Sequence, residues 1–238
     1  MTKQGYTALV FVVDASGSMY PIAHDMEGAI EALLAKQKGL PGELTVDMVY
    51  FDAPGFQPVS QPYYTISTNT VRGMVPGIVN RPVKDWYHET HTLADPSDVQ
   101  VHIEPGGGTA LLDALGRKIV SFGQALSALP EDERPENVIF AIVTDGEENS
   151  SREYTWATVQ KMISHQTEKY GWNFTYLGAN QDAISVGASL GIGAGSTLTW
   201  NTNNVHAATQ TMDSYIATSR AYGAAAASYT QADRDANA

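Results

Sequence analysis

The chain has 238 residues, of which 43% are hydrophobic and 17% charged, a composition typical of a soluble globular protein. Its 26 acidic and 14 basic residues leave a formal charge of −12, which disfavours nucleic acids and anionic membranes as partners. The absence of cysteine excludes disulfides, thiolate catalysis and cysteine-ligated zinc. No stretch approaches the roughly 18 apolar residues of a spanning helix, and no signal peptide is recognisable, so we expect a cytoplasmic protein.

The first half of the chain predicts two strands separated by a helix. Tyr6–Val13 is continuously apolar, which is typical of a strand buried on both faces, and Leu44–Phe51 predicts a second strand. Between them, Ile22–Lys38 has apolar residues near helical spacing and is followed by Gly39, so it predicts a helix. Residues 52–70 predict a short edge strand, and residues 71–105 predict an insertion or a long loop.

The second half of the chain alternates helices with strands. We predict helices over Ala110–Leu129, Tyr154–Tyr170, Asp182–Leu190 and Val205–Tyr222, strands over Asn137–Thr144 and Trp172–Leu177, and a flexible turn over Gly191–Ser196. This alternation predicts an α/β fold, with a Rossmann-like open, mostly parallel sheet and helices on both faces. No linker divides the chain, so we expect one domain over residues 1–225 and a flexible C-terminal tail over residues 226–238.

Oxygen-bearing side chains follow two of the predicted strands. Asp14–Ser18 (DASGS) follows the first strand, and Thr144–Gly146 (TDG) ends the third buried strand. Ligands of open α/β sheets bind at the carboxyl ends of the strands, so both segments stand where a site is expected. Between them in sequence, the Gly-rich turn Gly106–Gly108 allows close approach of the backbone, and Thr109 presents a hydroxyl at the start of a helix.

Together these segments supply a donor set made only of oxygen atoms. Its members are Asp14, Ser16, Ser18, Thr109 and Asp145. Such a set suits Mg²⁺, Mn²⁺ or Ca²⁺, and not zinc or copper. The two carboxylates neutralise a divalent cation, whereas the hydroxyls are weak neutral ligands, so the cation remains able to attract an external carboxylate. The sequence therefore predicts a metal site that binds a protein partner through an Asp or Glu of that partner.

The spacing of this donor set resembles the metal-ion-dependent adhesion site (MIDAS) of von Willebrand factor A (vWA) domains, over roughly residues 5 to 225. The resemblance implies the vWA fold, a metal held by the five residues directly or through water, and a partner carboxylate in the metal shell. The segments Gly108–Asp113 and Thr144–Gly146 resemble the bacterial and phage branch, whose members often act with AAA+ ATPases or in assembly. Residues 71–105 are longer than the compact family pattern needs.

A second hypothesis is a Mg²⁺-dependent phosphohydrolase that uses Asp14. The placement of Asp14 after a strand, with Asp145 as a second carboxylate, superficially resembles phosphatases of the haloacid-dehalogenase type. Those enzymes need an acid two residues after the nucleophile to protonate the leaving group, and the hydroxyl of Ser16 is far too weak an acid. The sequence also contains no GxxxxGK[ST] phosphate-binding loop. We therefore expect a binding module and not an enzyme.

Three further polar features carry weaker signals. Glu147 and Glu148 favour an exposed acidic turn over a partner contact. Asp52 follows the second strand. Its position is equally compatible with a supporting role at the metal site and with a place in an edge loop. His88 and His91 lack the HExxH spacing of a metalloprotease and favour a solvated loop.

Overall fold

A parallel β-sheet forms the centre of the fold in the computed structural model, which describes residues 1–53, 96, 99 and 101–238. The strands in this part of the chain are β1 (Lys3–Asp14), β2 (Glu43–Phe51), β3 (Pro135–Thr144), β4 (Asn173–Ala179) and β5 (Thr197–Trp200). They lie in the order β2-β1-β3-β4-β5, and every neighbouring pair is parallel. The α-helices are α1 (Ala23–Lys38), α2 (Leu111–Ala128), α3 (Trp156–Tyr170), α4 (Ala183–Ser189), α5 (Val205–Tyr222) and α6 (Gln231–Asn237).

Both faces of the sheet are buried under helices, which explains the continuous apolar sequence of β1. Successive side chains of a strand point to opposite faces. Leu9 and Phe11 pack with buried side chains of α1 and α5, whereas Val10 and Val12 pack with those of α2 and α3. Each such side chain contributes about 1.5–3 kcal/mol by leaving water. The predicted α/β class, with helices on both faces of the sheet, is thus confirmed.

The predicted helices and strands agree with the observed ones to within three residues at each end. The strand β5 was not predicted, because four residues are too few to show a period. The predicted edge strand and most of the predicted insertion lie outside the described residues. None of the described helices is long and apolar enough to cross a lipid bilayer.

A buried ion pair holds α2 against the sheet. Lys118 of α2 and Asp47 of β2 are 0% and 2% exposed, and 2.5 Å separates Nζ of the lysine from Oδ2 of the aspartate. Each charge compensates the other for the loss of water, and removing one partner of such a pair costs about 3–5 kcal/mol. Because α2 begins just after Thr109, the ion pair also helps to fix the end of the helix that adjoins the predicted site.

The C-terminal segment, which the sequence predicts as a flexible tail over residues 226–238, contains a helix and packs against the rest of the fold. The helix α6 begins with a capping box. Just before it, the ring of Tyr229 stacks on Tyr215 of α5 with 4.8 Å between centroids. The Tyr229 hydroxyl also lies 2.7 Å from Oγ1 of Thr175 in β4, within hydrogen-bonding distance. The Ala-rich composition of the segment gave no sign of this packing, since it depends on partners far away in sequence.

We predict that Tyr229→Ala lowers the free energy of unfolding by about 3 kcal/mol, because it removes a buried aromatic side chain and its stacking interaction with Tyr215. Urea denaturation followed by circular dichroism measures the change. Tyr222→Ala is the matched control, since Tyr222 is 79% exposed, and we expect it to stay within about 0.5 kcal/mol of the parent. Equal stability of both variants would contradict a structural role for the C-terminal segment.

Candidate metal centre

The first part of the candidate centre lies where β1 and β3 end side by side. The two strands pair in parallel, with Val13 opposite Val143, so Asp14 and Thr144 follow on adjacent strands. The Asp14 side chain is fully buried. Its Oδ2 accepts a hydrogen bond of 2.5 Å from the Thr144 hydroxyl, and its Oδ1 accepts one of 2.7 Å from the backbone N–H of Ser16. Both carboxylate oxygens are therefore held in place.

Three hydroxyl groups converge on the space beside Gly146. The Oγ atoms of Ser16 and Ser18 are 3.0 Å apart, and the Ser18 hydroxyl donates to Oδ1 of Asp145 over 2.7 Å. A Cβ atom built on Gly146 would stand 2.9 Å from Oγ1 of Thr109, 3.3 Å from Oγ of Ser18 and 3.8 Å from Oγ of Ser16. Glycine leaves this space open. The structure thus brings the predicted hydroxyls and Asp145 together around one point.

The Gly-rich turn that precedes Thr109 depends on glycine. Gly107 has a φ of +59°, and a Cβ atom there would stand only 1.5 Å from the carbonyl oxygen of Ala53. Next to it, the N–H of Gly106 donates to the carbonyl of Ala15 over 2.8 Å. This turn therefore lies against the backbone that follows Asp14, which sets the position of the Thr109 hydroxyl.

Glu148 was missed as a site-forming residue. Its Oε2 accepts a hydrogen bond of 3.0 Å from the N–H of Leu112, in the first turn of α2, and its Oε1 accepts from the N–H groups of Ser150 and Ser151. The carboxylate thus satisfies a free donor at the helix start and joins α2 to the loop after β3. The prediction of an exposed turn is right for Glu147 and wrong for Glu148, which is partly buried.

Asp113 makes the reciprocal connection from α2 to the same loop. Its carboxylate accepts hydrogen bonds of 2.8–2.9 Å from the N–H groups of Arg152, Glu153 and Tyr154. An acidic residue in the first turn of a helix is common in any sequence. Nothing in the local sequence shows that its acceptor atoms bind a loop about 40 residues away, so this role became visible only in the structure.

The charged forms of the two carboxylates of the centre are electrostatically unfavourable without a compensating cation. The pKa of Asp14 is raised to about 6, mainly by burial and to a smaller extent by repulsion from Asp145, against the opposing hydrogen bonds from Thr144 and Ser16. Burial also raises the pKa of Asp145. In the described part of the chain neither carboxylate forms an ion pair. A bound cation would compensate both charges, which is what the donor set predicts.

Asp52 borders the Gly-rich turn. A Cβ atom on Gly106 would stand 3.6 Å from its Oδ2, and burial raises the pKa of its carboxyl group to about 6. The structure thus places Asp52 against the turn that carries Thr109, in agreement with a supporting position.

Comparison with known proteins identifies the fold. No protein-family model and no curated relative matches the chain. Among solved structures, it is similar to proximal thread matrix protein 1 (PTMP1) from the mussel byssus, with a TM-score of 0.57 and 14% identity over 90% of this chain and 46% of that chain. A structure of the same mussel protein with a zinc-occupied MIDAS motif gives 0.55 and 15%, over 90% and 46% of the two chains. The chain has a vWA-like fold.

A bacterial protein shows the same likeness. The pilus adhesin SpaC from Lactobacillus rhamnosus GG, in its open conformation, matches with a TM-score of 0.56 and 15% identity over 89% of this chain and 30% of that chain. The chain therefore spans less than half the length of these proteins. At such identities the likeness shows the fold alone, and membership of the bacterial and phage branch stays a prediction.

We predict that Glu148→Gln lowers the free energy of unfolding by about 2 kcal/mol, because an amide NH₂ would face backbone donors that now meet a carboxylate. Urea denaturation measures the effect. Glu147→Gln removes the same charge from the adjacent, exposed side chain, and we expect it to leave stability unchanged. A loss of the same size in both variants would show that net charge, and not the hydrogen bonds of Glu148, is responsible.

Proposed function

We propose that the chain is a vWA-type, metal-dependent protein-binding module in which an Asp or Glu of the partner completes the coordination shell of a divalent cation. The residues that would hold the cation are Asp14, Ser16, Ser18, Thr109 and Asp145. The observation that supports this most directly is the open space beside Gly146, on which the three hydroxyls converge next to the Asp145 carboxylate.

The donor set fits a divalent cation. It combines two carboxylates, which match the charge of the ion, with neutral hydroxyls, and these oxygen atoms favour Mg²⁺, Mn²⁺ or Ca²⁺. Zinc at the MIDAS motif of PTMP1 supports a divalent ion at such a site. Mg²⁺ is our first choice because it is the most abundant of these ions in cells.

The exposure of the site residues supports binding of a partner from one side. Asp14 and Thr109 are buried against the sheet, whereas Asp145 is partly exposed and Ser18 is exposed. Close to Ser18, the side chain of Tyr20 is 79% exposed. Aromatic residues of this type often contribute strongly to protein interfaces. A partner carboxylate would therefore approach along the side of Ser18, with Tyr20 available for contact beside it.

The same geometry favours binding over phosphoryl transfer. A nucleophilic carboxylate must reach the phosphorus atom, but Asp14 has no exposed surface and both of its oxygens accept hydrogen bonds. The Ser16 hydroxyl, at the position of the required acid, lies within hydrogen-bonding distance of Ser18. A location in the cytoplasm remains a prediction from the sequence, and a partnership with an AAA+ ATPase or an assembly component remains a prediction of the family resemblance.

We predict that Mg²⁺ and Mn²⁺ bind the metal-free protein at one site, and that Asp14→Asn weakens this binding at least tenfold. The substitution keeps the shape of the side chain but removes half of the charge that compensates the cation. Isothermal titration calorimetry, with Zn²⁺ and Ca²⁺ in parallel, measures the affinities. Asp25→Asn removes an exposed carboxylate of α1 as the matched control, and we expect its affinity to stay within about twofold of the parent.

Two results would contradict the proposal. Equal loss of affinity in Asp14→Asn and Asp25→Asn would place the cation elsewhere. Robust Mg²⁺-dependent hydrolysis of a generic phosphate ester, lost in Asp14→Asn, would favour the phosphohydrolase over the binding module.

We further predict that Gly146→Ala weakens cation binding at least tenfold, because its methyl group would occupy the space on which the three hydroxyls converge. The same titration measures this, with circular dichroism to verify folding. Gly193→Ala is the control, since a Cβ atom there would meet nothing within 4 Å. Unchanged affinity in Gly146→Ala would show that the cation does not use this space.

A further inference from the structure

An apolar groove of about 960 Å³ runs between α2 and α3, away from the candidate metal centre. Val138 and Trp172 line it at the N-terminal ends of β3 and β4, and Ile119, Leu126 and Met162 line it from the helices. The metal centre lies beyond the opposite ends of these strands, roughly 20 Å away at 3.3 Å per strand residue. Clefts of this size, mostly apolar with a few polar groups, are typical of sites for small ligands.

Gly123 keeps this groove open, although the packing around it does not require a glycine. A Cβ atom on Gly123 would stand 3.8 Å from the nearest atom of Trp172, an ordinary contact, so alanine fits. By contrast, a Cβ atom on Gly116 of the same helix would stand 2.3 Å from the ring of Tyr154. Glycine weakens a helix interior, and at Gly123 the structure shows no compensating contact. The Trp172 ring below it is rigid, because it stacks on Phe140 with 5.2 Å between centroids.

The charged groups on the helical side of the groove favour an anion. Lys161 and His165 line it one helical turn apart, and neither forms an ion pair among the described residues. Arg134, Glu131 and Glu136 line the opposite side, where Arg134 donates hydrogen bonds to the carbonyl groups of Leu129 and Ser127. Neither helix lines the groove with an acidic residue, so the helical side of the rim presents basic groups to an occupant.

We propose that this groove binds a small apolar anion, a single amphipathic carboxylate whose hydrocarbon body packs on Trp172 and Met162 and whose charged group faces Lys161. A groove that is concave and of limited volume suits one free molecule better than a lipid surface or a folded partner. The site is independent of the candidate metal centre, and its occupant needs no cation.

Decanoate is the probe, and decyltrimethylammonium, with the same chain length and the opposite charge, is its counterpart. Calorimetry measures affinity, and the indole N–H resonance of Trp172, assigned by Trp172→Phe, reports the location. We expect decanoate to bind at one site and to shift this resonance. We expect Lys161→Glu to weaken binding about tenfold. Lys169→Glu, on the same helix but outside the groove lining, should change it less than about twofold.

Gly123→Leu tests the space itself. The added side chain should fill the groove and abolish decanoate binding, whereas Gly28→Leu, at an exposed helical glycine with open space around it, should leave binding intact. Because Lys161 is exposed, its variant keeps the proposal testable even if Gly123→Leu does not fold.

Four results would overturn the proposal. They are the absence of decanoate binding, equal affinity for decyltrimethylammonium, binding that Gly123→Leu and Lys161→Glu leave unchanged, and self-association of the chain that Gly123→Leu abolishes. The last result would assign the groove to a second copy of the chain.

Discussion

The parallel pairing of β1 with β3 is the constraint on which the candidate metal centre depends. It places Asp14 beside Thr144 across 130 residues of sequence, and the hydrogen bond between their side chains closes the base of the site. A shift of one residue in this register would turn every side chain of the strand to the other face. Such a shift is prevented because both faces of β1 are buried in apolar clusters. The core of the protein therefore determines where the polar site forms.

Around this base, the loops are held by hydrogen bonds to carboxylates that are not themselves in the donor set. Glu148 binds the start of α2, and Asp113 of α2 binds the loop after β3. These contacts fix the loop that follows Asp145 against the start of α2 before any cation arrives. A pre-formed site loses little conformational freedom on binding. The charge of a cation would stabilise the desolvated carboxylates Asp14 and Asp145, so electrostatics and the rigidity of the site both favour cation binding.

The helix α2 connects two chemically different ends of the sheet. Its first turn adjoins the polar centre at the carboxyl ends of the strands, and its later turns border the apolar groove near Gly123. Between these two regions, the buried ion pair of Lys118 with Asp47 holds the helix on the sheet. A single rigid helix thus supports one site suited to cations and one suited to apolar anions.

The sequence by itself determined the fold class and the candidate donor set. A continuously apolar strand such as Tyr6–Val13 needs cover on both faces, and short oxygen donors directly after buried strands can only meet at one edge of a parallel sheet. Both signals are local, or follow from where strands end, so they can be read without coordinates. In the structure, this pattern of oxygen donors corresponds to the convergence of the hydroxyls beside Gly146.

Only the tertiary structure decided the features whose causes lie far away in sequence. The strand β5 is too short to carry a pattern of its own and forms because β4 offers it a parallel edge. Tyr229 is buried because Tyr215 and Thr175 surround it, although its neighbours in sequence are those of a flexible tail. Glu148 looks like half of a solvated acidic pair, yet it binds the backbone of α2. In each case the deciding contact joins residues that no local sequence pattern connects. The contact contributes to stability only once the chain has folded.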